Sequence, residues 1–354
     1  MSDAAAQVKI DHRALHDTAV ALLESVGFSS EDAHRGVEVL VRADLRGFET
    51  HGVSNMLRRY LEWVDGGHID ATAELTKLRS SAATASLDSR GGLGVVHAPL
   101  AMAMAIERAA ECGIGMVTII GGRHCGMASF HSLMAAERGM VGVCMTAGGP
   151  RMVPAGGREP RLGTNPIAVS APLGELPPFS YDASTTVSSL NRIATARRRG
   201  LPVPPGLAAD DEGEPVMEPS MTVDGSRLLP LGATLDGASY KGTGLGSIVE
   251  LLSAILGGSR PLTELGTGHN THSFIAIRID AFVDPVTYAD SADTFGRSFL
   301  DMRSRPGHTV RYPGWRAATC EQERRTTGIP LDASIVAWLD AAHRERVGGV
   351  SPIA

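Results

Sequence analysis

The period at which apolar residues recur changes twice along this 354-residue chain, and those changes limit its fold more than any other feature. Leu15, Ala19, Leu22, Leu23 and Val26 fall at helical spacing and stop at Gly27. Ser29, three residues before Asp32, makes a capping-box-like start for a second helix through Val37, Leu40 and Val41 to Gly47. A third set, Val53, Met56, Leu57, Tyr60, Leu61 and Val64, ends at Gly66-Gly67, so residues 10 to 70 read as a helical unit. From about residue 82, short β-type runs (TASLD, IGMVTII, MVGVCMT, NPIAVSAP, HSFIAIRID) alternate with helical ones. The helical runs are VVHAPLAMAMAIERAAECG, GMASFHSLMAAERG, TTVSSLNRIATARRRG and GLGSIVELLSAILGG. Residues 200 to 230, rich in Pro, Gly and acids, lack a period and read as a long surface excursion. The end, IPLDASIVAWLDAAHRERVG, is helical again, so both termini are expected to build the helical unit. The expected class is α/β (α+β).

A hydrophobic content of 43% supports a sizeable core and two domains of ordinary size. Lys and Arg number 33 against 39 acids, a net charge of -6, and no basic run is dense enough for nucleic acid or a membrane surface. The expected partner is a small molecule. Apolar runs stop short of the roughly 18 residues of a membrane span, and residues 1 to 20 carry acids and no apolar h-region. Cys112, Cys125, Cys144 and Cys320 share no C-x-x-C spacing, which suits a reducing compartment, so a cytoplasmic protein is expected.

Five stretches could carry chemistry. His51 stands between two helical patterns and before Gly52; it either caps the third helix or, beside the positive helix mouth, gives up a proton easily. His124, in GGRHCGMASFHS, again lies between a β run and a helix, where Gly126, Ser129 and free N–H groups suit an anion or merely form a tight turn. His124 and His131, about two helical turns apart, are too distant along one helix to share a metal ion unaided, so no metal is expected. GGPRMVPAGGREPRLGTNPIAVSAP reads as an anchored loop or as a wall against a flat ligand. Asp182, ending a β run in YDASTTVSSLNR, is an N-cap or a partner for a histidine. SYKGTGLGSIVELL sets Lys241 and glycines before an apolar helix, the chemistry of a phosphate seat, without the P-loop or dinucleotide fingerprint.

Taken in order, THGVSNMLRRY, RHCGMASFHSLMAAERGMVG, PAGG with LGTNPIAVSAP, DASTTV, YKGTGLGSIVELLSAIL and YPG at 312–314 resemble the type 2 malate/L-lactate dehydrogenase family, over roughly residues 10 to 330. The resemblance implies a nicotinamide-dependent oxidoreductase, using NAD or NADP, whose cofactor sits on a non-Rossmann sheet domain. It also implies a homodimer with sites near the subunit contact. The domain division expected from it is residues 1–78 with 315–354 as the helical substrate and dimer domain, and 79–314 as the cofactor domain. His51, preceded by Thr50, matches the proton-exchanging histidine, and His124 a second active-site histidine that is also a candidate for that role. Asp182 begins the loop at the nicotinamide end and orients His51. Cofactor contacts are expected from His124, Ser129, Thr164, Asn165, Pro166, Asp182, Ala183, Ser184, Lys241, Pro313 and Gly314. Arg46, Asn55, Arg58 and Arg59 are the candidates to meet a carboxylate-bearing substrate. Asn55 stands where many members carry arginine, and Trp315 where they place Glu or Gln, so malate and lactate are not the expected substrates. The implied reaction is hydride transfer at a C=O (2-keto/2-hydroxy acid) or C=N (cyclic ketimine) carbon alpha to a carboxylate; the alternative is an inactive nucleotide-binding protein of the same fold.

Overall fold

The computed structural model describes residues 7–198, 200–223 and 225–353. Residues 1–6, which open both the leader reading and the helical domain, Arg199 at the end of the helical run TTVSSLNRIATARRRG, and Ala354 lie outside the described residues.

Strand β1 (Gln7–Ile10) leads into helices α1 (His12–Glu24), α2 (Ser30–Leu45) and α3 (Val53–Asp65), with a single 3-10 turn (Glu49–His51) between the last two. Then follow β2 (Thr76–Ser80), β3 (Thr84–Asp88), α4 (Gly94–Cys112), β4 (Ile114–Gly122), α5 (Ala128–Ala136), β5 (Met140–Gly148), β6 (Ile167–Ala171) and β7 (Phe179–Ala183). The remainder is α6 (Leu190–Arg198), α7 (Tyr240–Val249), α8 (Leu262–Leu265), β8 (Asn270–Arg278), α9 (Pro285–Leu300), α10 (Trp315–Thr327), β9 (Ile329–Asp332) and α11 (Ala333–Arg346).

Seven strands form one sheet in the order β2-β3-β4-β8-β5-β6-β7. Only β3 and β4, joined through α4, run parallel; every other pair is antiparallel. The expected α/β class without a doubly wound Rossmann sheet therefore holds. Helices α4 and α5 lie on one face through small residues, Ala98, Ala101, Ala105 and Ala109 on α4 and Ala135 on α5. They come so close that a Cβ on Gly115 would stand 2.0 Å from the Ala105 carbonyl oxygen, and one on Gly142 2.1 Å from that of Ser132. The other face is covered by α7 and the wide turn after it, through Val249, Ala254 and Leu262 on Met145 and Ala147.

The helical pieces from both ends share one core: Leu15, Leu22 and Leu23 of α1, Leu40 of α2, Leu57 and Tyr60 of α3, and Leu339 and Ala342 of α11. Val95, Val96, Met127 and Phe130, at the starts of α4 and α5, enter the same core and so tie it to the sheet. β1 and β9 pair antiparallel, which clamps the two ends of the chain together.

Several elements differ from the sequence reading. The helix after β7 begins at Leu190, not at Thr185, because Thr185 donates its N–H to the Thr164 carbonyl and Thr186 its hydroxyl to Ser188. α7 begins at Tyr240, so Lys241 and Gly242, Gly244 and Gly246 lie inside the helix rather than before it. Gly242 is there because a Cβ would meet the Leu231 backbone at 2.3 Å. β2 straddles residue 78; the last helix begins at Ala333, with Ile329–Asp332 of the run expected to be helical forming β9 against β1; and β1, β2, α8, α9 and α10 are additions to the sequence reading. The described residues of 200 to 230, which leave out Asp224, are irregular as expected, yet Val203, Leu207 and Leu228 pack with Ile193 of α6 into a small core of their own.

Candidate active site

α2 ends at Leu45, the chain makes the 3-10 turn that contains His51, and α3 starts at Val53. The first turn of α3 is capped from a distance: buried Asp44, on α2, accepts the Val53 N–H on Oδ2 at 2.8 Å. The carboxylate lies against Gly52 so closely that a Cβ there would be 1.9 Å from Asp44 Oδ1. Arg324 of α10 donates to the Asp44 carbonyl at 2.5 Å and pairs with Glu49 at 3.2 Å, closing the turn from outside. The capping role that His51 could have filled is thus taken by Asp44, and the imidazole is left for the cleft.

The His51 ring stacks on that of His124, with centroids 5.5 Å apart and planes 11° from parallel. His51 Nδ1 is 2.9 Å from the Thr50 hydroxyl. His124 Nδ1 receives the Tyr60 hydroxyl at 2.7 Å and the Gly126 N–H at 3.3 Å. Asp182, near the end of β7, accepts the Ser129 N–H at 2.7 Å in the first turn of α5, and its charge acts on His51. Burial lowers the proton affinity of His51 while Asp182 opposes that loss. Burial and then the His51 ring beside it hold His124 down to about 3. Burial raises the Asp182 carboxyl, against the pull of the Ser129 N–H.

The backbone on either side of His124 is pinned by two other histidines. His131 Nε2–H donates to the Cys125 carbonyl at 2.9 Å, and His272 Nε2–H to the Arg123 carbonyl at 3.0 Å. His272 Nδ1 lies 3.0 Å from the Thr146 hydroxyl, which in turn lies 3.3 Å from the Cys125 sulfur, so the three side chains form one buried hydrogen-bonded row. His131 is therefore a buried support, and among the described residues no group of His, Cys, Asp and Glu side chains could hold a metal ion.

Two histidines and a carboxylate thus meet at the junction of a helical unit and a mixed sheet. A model described as malate/L-lactate dehydrogenase matches residues 10–340. A malate dehydrogenase of Pyrococcus abyssi is 34% identical over 350 residues, 96% of this chain and 95% of that one. The chain belongs to the malate/L-lactate dehydrogenase family. The crystal structure of malate dehydrogenase from Entamoeba histolytica superposes with a TM-score of 0.92 at 29% identity, covering 96% of this chain and 98% of that one. A delta1-piperideine-2-carboxylate reductase from Pseudomonas syringae pvar. tomato gives 0.83 at 25% identity over 95% and 99%. This member of the family is accordingly a dehydrogenase or reductase.

The remaining sequence candidates separate into those near the histidines and those held elsewhere. Arg59 acts on His124 by charge and donates to Asn191 Oδ1 at 2.9 Å, while Asn191 Nδ2 donates to the Thr50 carbonyl at 2.7 Å. Asn191 was not foreseen; as the second residue of α6 it carries no sequence signal beyond helix. Arg46 is buried against Glu321 at 2.9 Å, and Arg58 lies over the Trp338 ring at 4.9 Å on the outer face of α3, so neither points at the histidines. Asn55 donates to the Glu49 carbonyl at 2.6 Å. Thr164 accepts from Thr185, and buried Asn165, at φ +38°, joins the Gly148 N–H (3.1 Å) to the Gly246 carbonyl (2.9 Å), with Pro166 following at the entry to β6. Pro313 accepts the Ser180 N–H at 2.9 Å, and Gly314 at φ +99° sits where a Cβ would strike Ser180 N at 2.7 Å, so the YPG turn lies along β7 two residues from Asp182.

These residues fit a nicotinamide dinucleotide. Lys241 is exposed in the first turn of α7, its ammonium 6.0 Å from the Tyr240 ring centroid and in no ion pair among the described residues, a cation a phosphate could meet. Ala183 ends β7 and Ser184 follows it, beside Asp182, where a flat ring could lie beside the two histidines.

Proposed function

We propose that this enzyme interconverts a small 2-keto and 2-hydroxy acid, or a cyclic ketimine and its amine, by hydride transfer at the carbon alpha to the carboxylate, with His51 exchanging the proton. Bound NAD or NADP supplies or accepts the hydride. The observation that carries the reading is the division of labour around His51: Asp44 caps α3, and the His51 ring faces His124 under the charge of Asp182. In the reducing direction His51 gives its proton to the substrate oxygen or nitrogen, and Asp182 steadies the imidazolium in the reverse direction. Arg59, held by Asn191 beside Thr50, is the cation placed to meet the carboxylate. Lys241 holds cofactor phosphate; Thr164, Asn165, Pro166, Ala183, Ser184, Pro313 and Gly314 shape the wall behind it. The helical unit built from both ends of the chain and the sheet unit form the two domains between which the cleft opens, with the first boundary before β2 rather than at residue 78.

The protein works as a cytoplasmic homodimer. The apolar residues of its terminal helices are spent on the internal core, so support for a dimer comes instead from the outer face of α7 and the turn after it. There Leu251 and Leu256 are 57% and 59% exposed beside Tyr240 and Ile248. No helix among the described residues is long and apolar enough to cross a membrane.

The test is His51→Gln assayed by nicotinamide absorbance over a panel of 2-keto acids and cyclic imines with each cofactor. Turnover should fall by roughly a hundredfold to ten-thousandfold with cofactor affinity near normal. Cofactor binding by the native protein without turnover of any panel member would make it a nucleotide-binding protein instead.

A further inference from the structure

We propose that Tyr60 is a positioning residue that, together with the Gly126 N–H, fixes His124 as the neutral tautomer protonated on Nε2, so that His124 serves as a fixed N–H donor to a substrate oxygen and not as the proton carrier. The inference deepens the reading of the cleft given above and rests on it.

A backbone N–H can only donate. The 3.3 Å contact from Gly126 therefore requires a lone pair on His124 Nδ1, and the proton of the neutral ring must sit on Nε2. Tyr60 adds a second donor to the same lone pair at 2.7 Å. Its side chain is fully buried in the helical core, and burial pushes its phenol well above the usual range, so it keeps its proton and stays a donor. With Nδ1 saturated, protonating the ring would set an imidazolium N–H against two donors.

The groups around the ring point the same way. His51 stacks on one face, and His272 and Arg59 lie close enough to disfavour a positive charge; only Cys125 acts in the opposite direction. The hydrogen bonds from His131 and His272 to residues 125 and 123 hold the backbone that carries the ring. Of the two His124 ring nitrogens, Nε2 is the one with no protein partner among the described residues, and His124 is only half-buried, so its N–H is offered to a ligand. A neutral, prepositioned donor suits an oxygen that gains negative charge as hydride arrives, since it needs no reorganisation at that moment.

Tyr60→Phe keeps the ring that packs in the core and removes only the hydroxyl. Two-dimensional proton–nitrogen spectra of histidine-labelled protein across pH 5 to 9 read the tautomer directly, apart from any activity. Native His124 should show the Nε2–H pattern throughout. Tyr60→Phe should bring in the Nδ1–H form or a titration within that range, lower kcat about tenfold, leave cofactor affinity unchanged and add an acidic limb to the rate profile. Native His124 protonated on Nδ1, or titrating near its ordinary pKa, would overturn the proposal even if Tyr60→Phe failed to fold; so would an unaltered tautomer and rate profile in a folded Tyr60→Phe. The His51→Gln assay is independent: full turnover there would remove the proton carrier while leaving the His124 tautomer standing.

Discussion

At the scale of single residues, the decisive placement is Asp44. Its carboxyl is fully buried, one oxygen on the Val53 N–H and the other without a hydrogen-bond partner among the described residues, and burial raises it from 3.8 to about 8. Because the folded protein holds this proton more tightly than the unfolded chain, the stabilisation is complete below the unfolded value near 4. It is lost as the pH rises through about 8. The melting temperature should accordingly drop by a few degrees more between pH 6 and 9 than that of Asp44→Asn, whose amide does not titrate. Parallel curves for the two proteins would show that the carboxyl is already ionised near neutrality. His51 was visible in the sequence as a choice between capping and catalysis; Asp44, which decides it, reads as one more acid late in a helix. Tyr60 was equally hidden, since at helical spacing among Met56, Leu57 and Leu61 a tyrosine is indistinguishable from core until the hydroxyl's partner is known.

At the scale of elements, legibility followed the strength of the period. α1, α2 and α3 each bury one continuous stripe and were read close to their true bounds. β2 is exposed at all five positions, and α9 buries only Gly296, so neither carries the alternation that would have marked it. The α7 start was misplaced because its glycines resemble a loop, whereas they let the helix lie against the Leu231 backbone. Asn165 fastens α7 to the end of β5: replacing it with Ala removes the side-chain acceptor of the Gly148 N–H and the side-chain donor to the Gly246 carbonyl, and leaves a β-carbon residue at positive φ without its amide. Denaturant titration should register a loss of about 2–4 kcal/mol. Cofactor affinity should weaken with it, since Lys241 is carried by the same helix; an affinity unchanged in the folded variant would remove α7 from the cofactor site.

At the scale of the whole molecule, the apolar face of α7 sets the expectation for assembly. Leu251→Asp should shift the sedimenting species from dimer toward the 37.1 kDa monomer, and native protein sedimenting as a fully active monomer at micromolar concentration would exclude the homodimer. The sequence by itself determined the alternation of a helical unit with a mixed α/β unit, the absence of a dinucleotide fingerprint, and the candidacy of His51, His124 and Asp182. Each of these is written in local spacing or in a motif a few residues long. Only the tertiary structure decided which residues support the histidines: Asp44 and Tyr60 from α2 and α3, Asn191 from α6, Thr146 and His272 from β5 and β8. It also withdrew Arg46 and Arg58 to a buried ion pair and an outer face. Hydrogen-bond direction and burial depend on partners far apart in sequence, 149 positions for His272 and Arg123 and 280 for Arg324 and Asp44, and no local period records such a pairing.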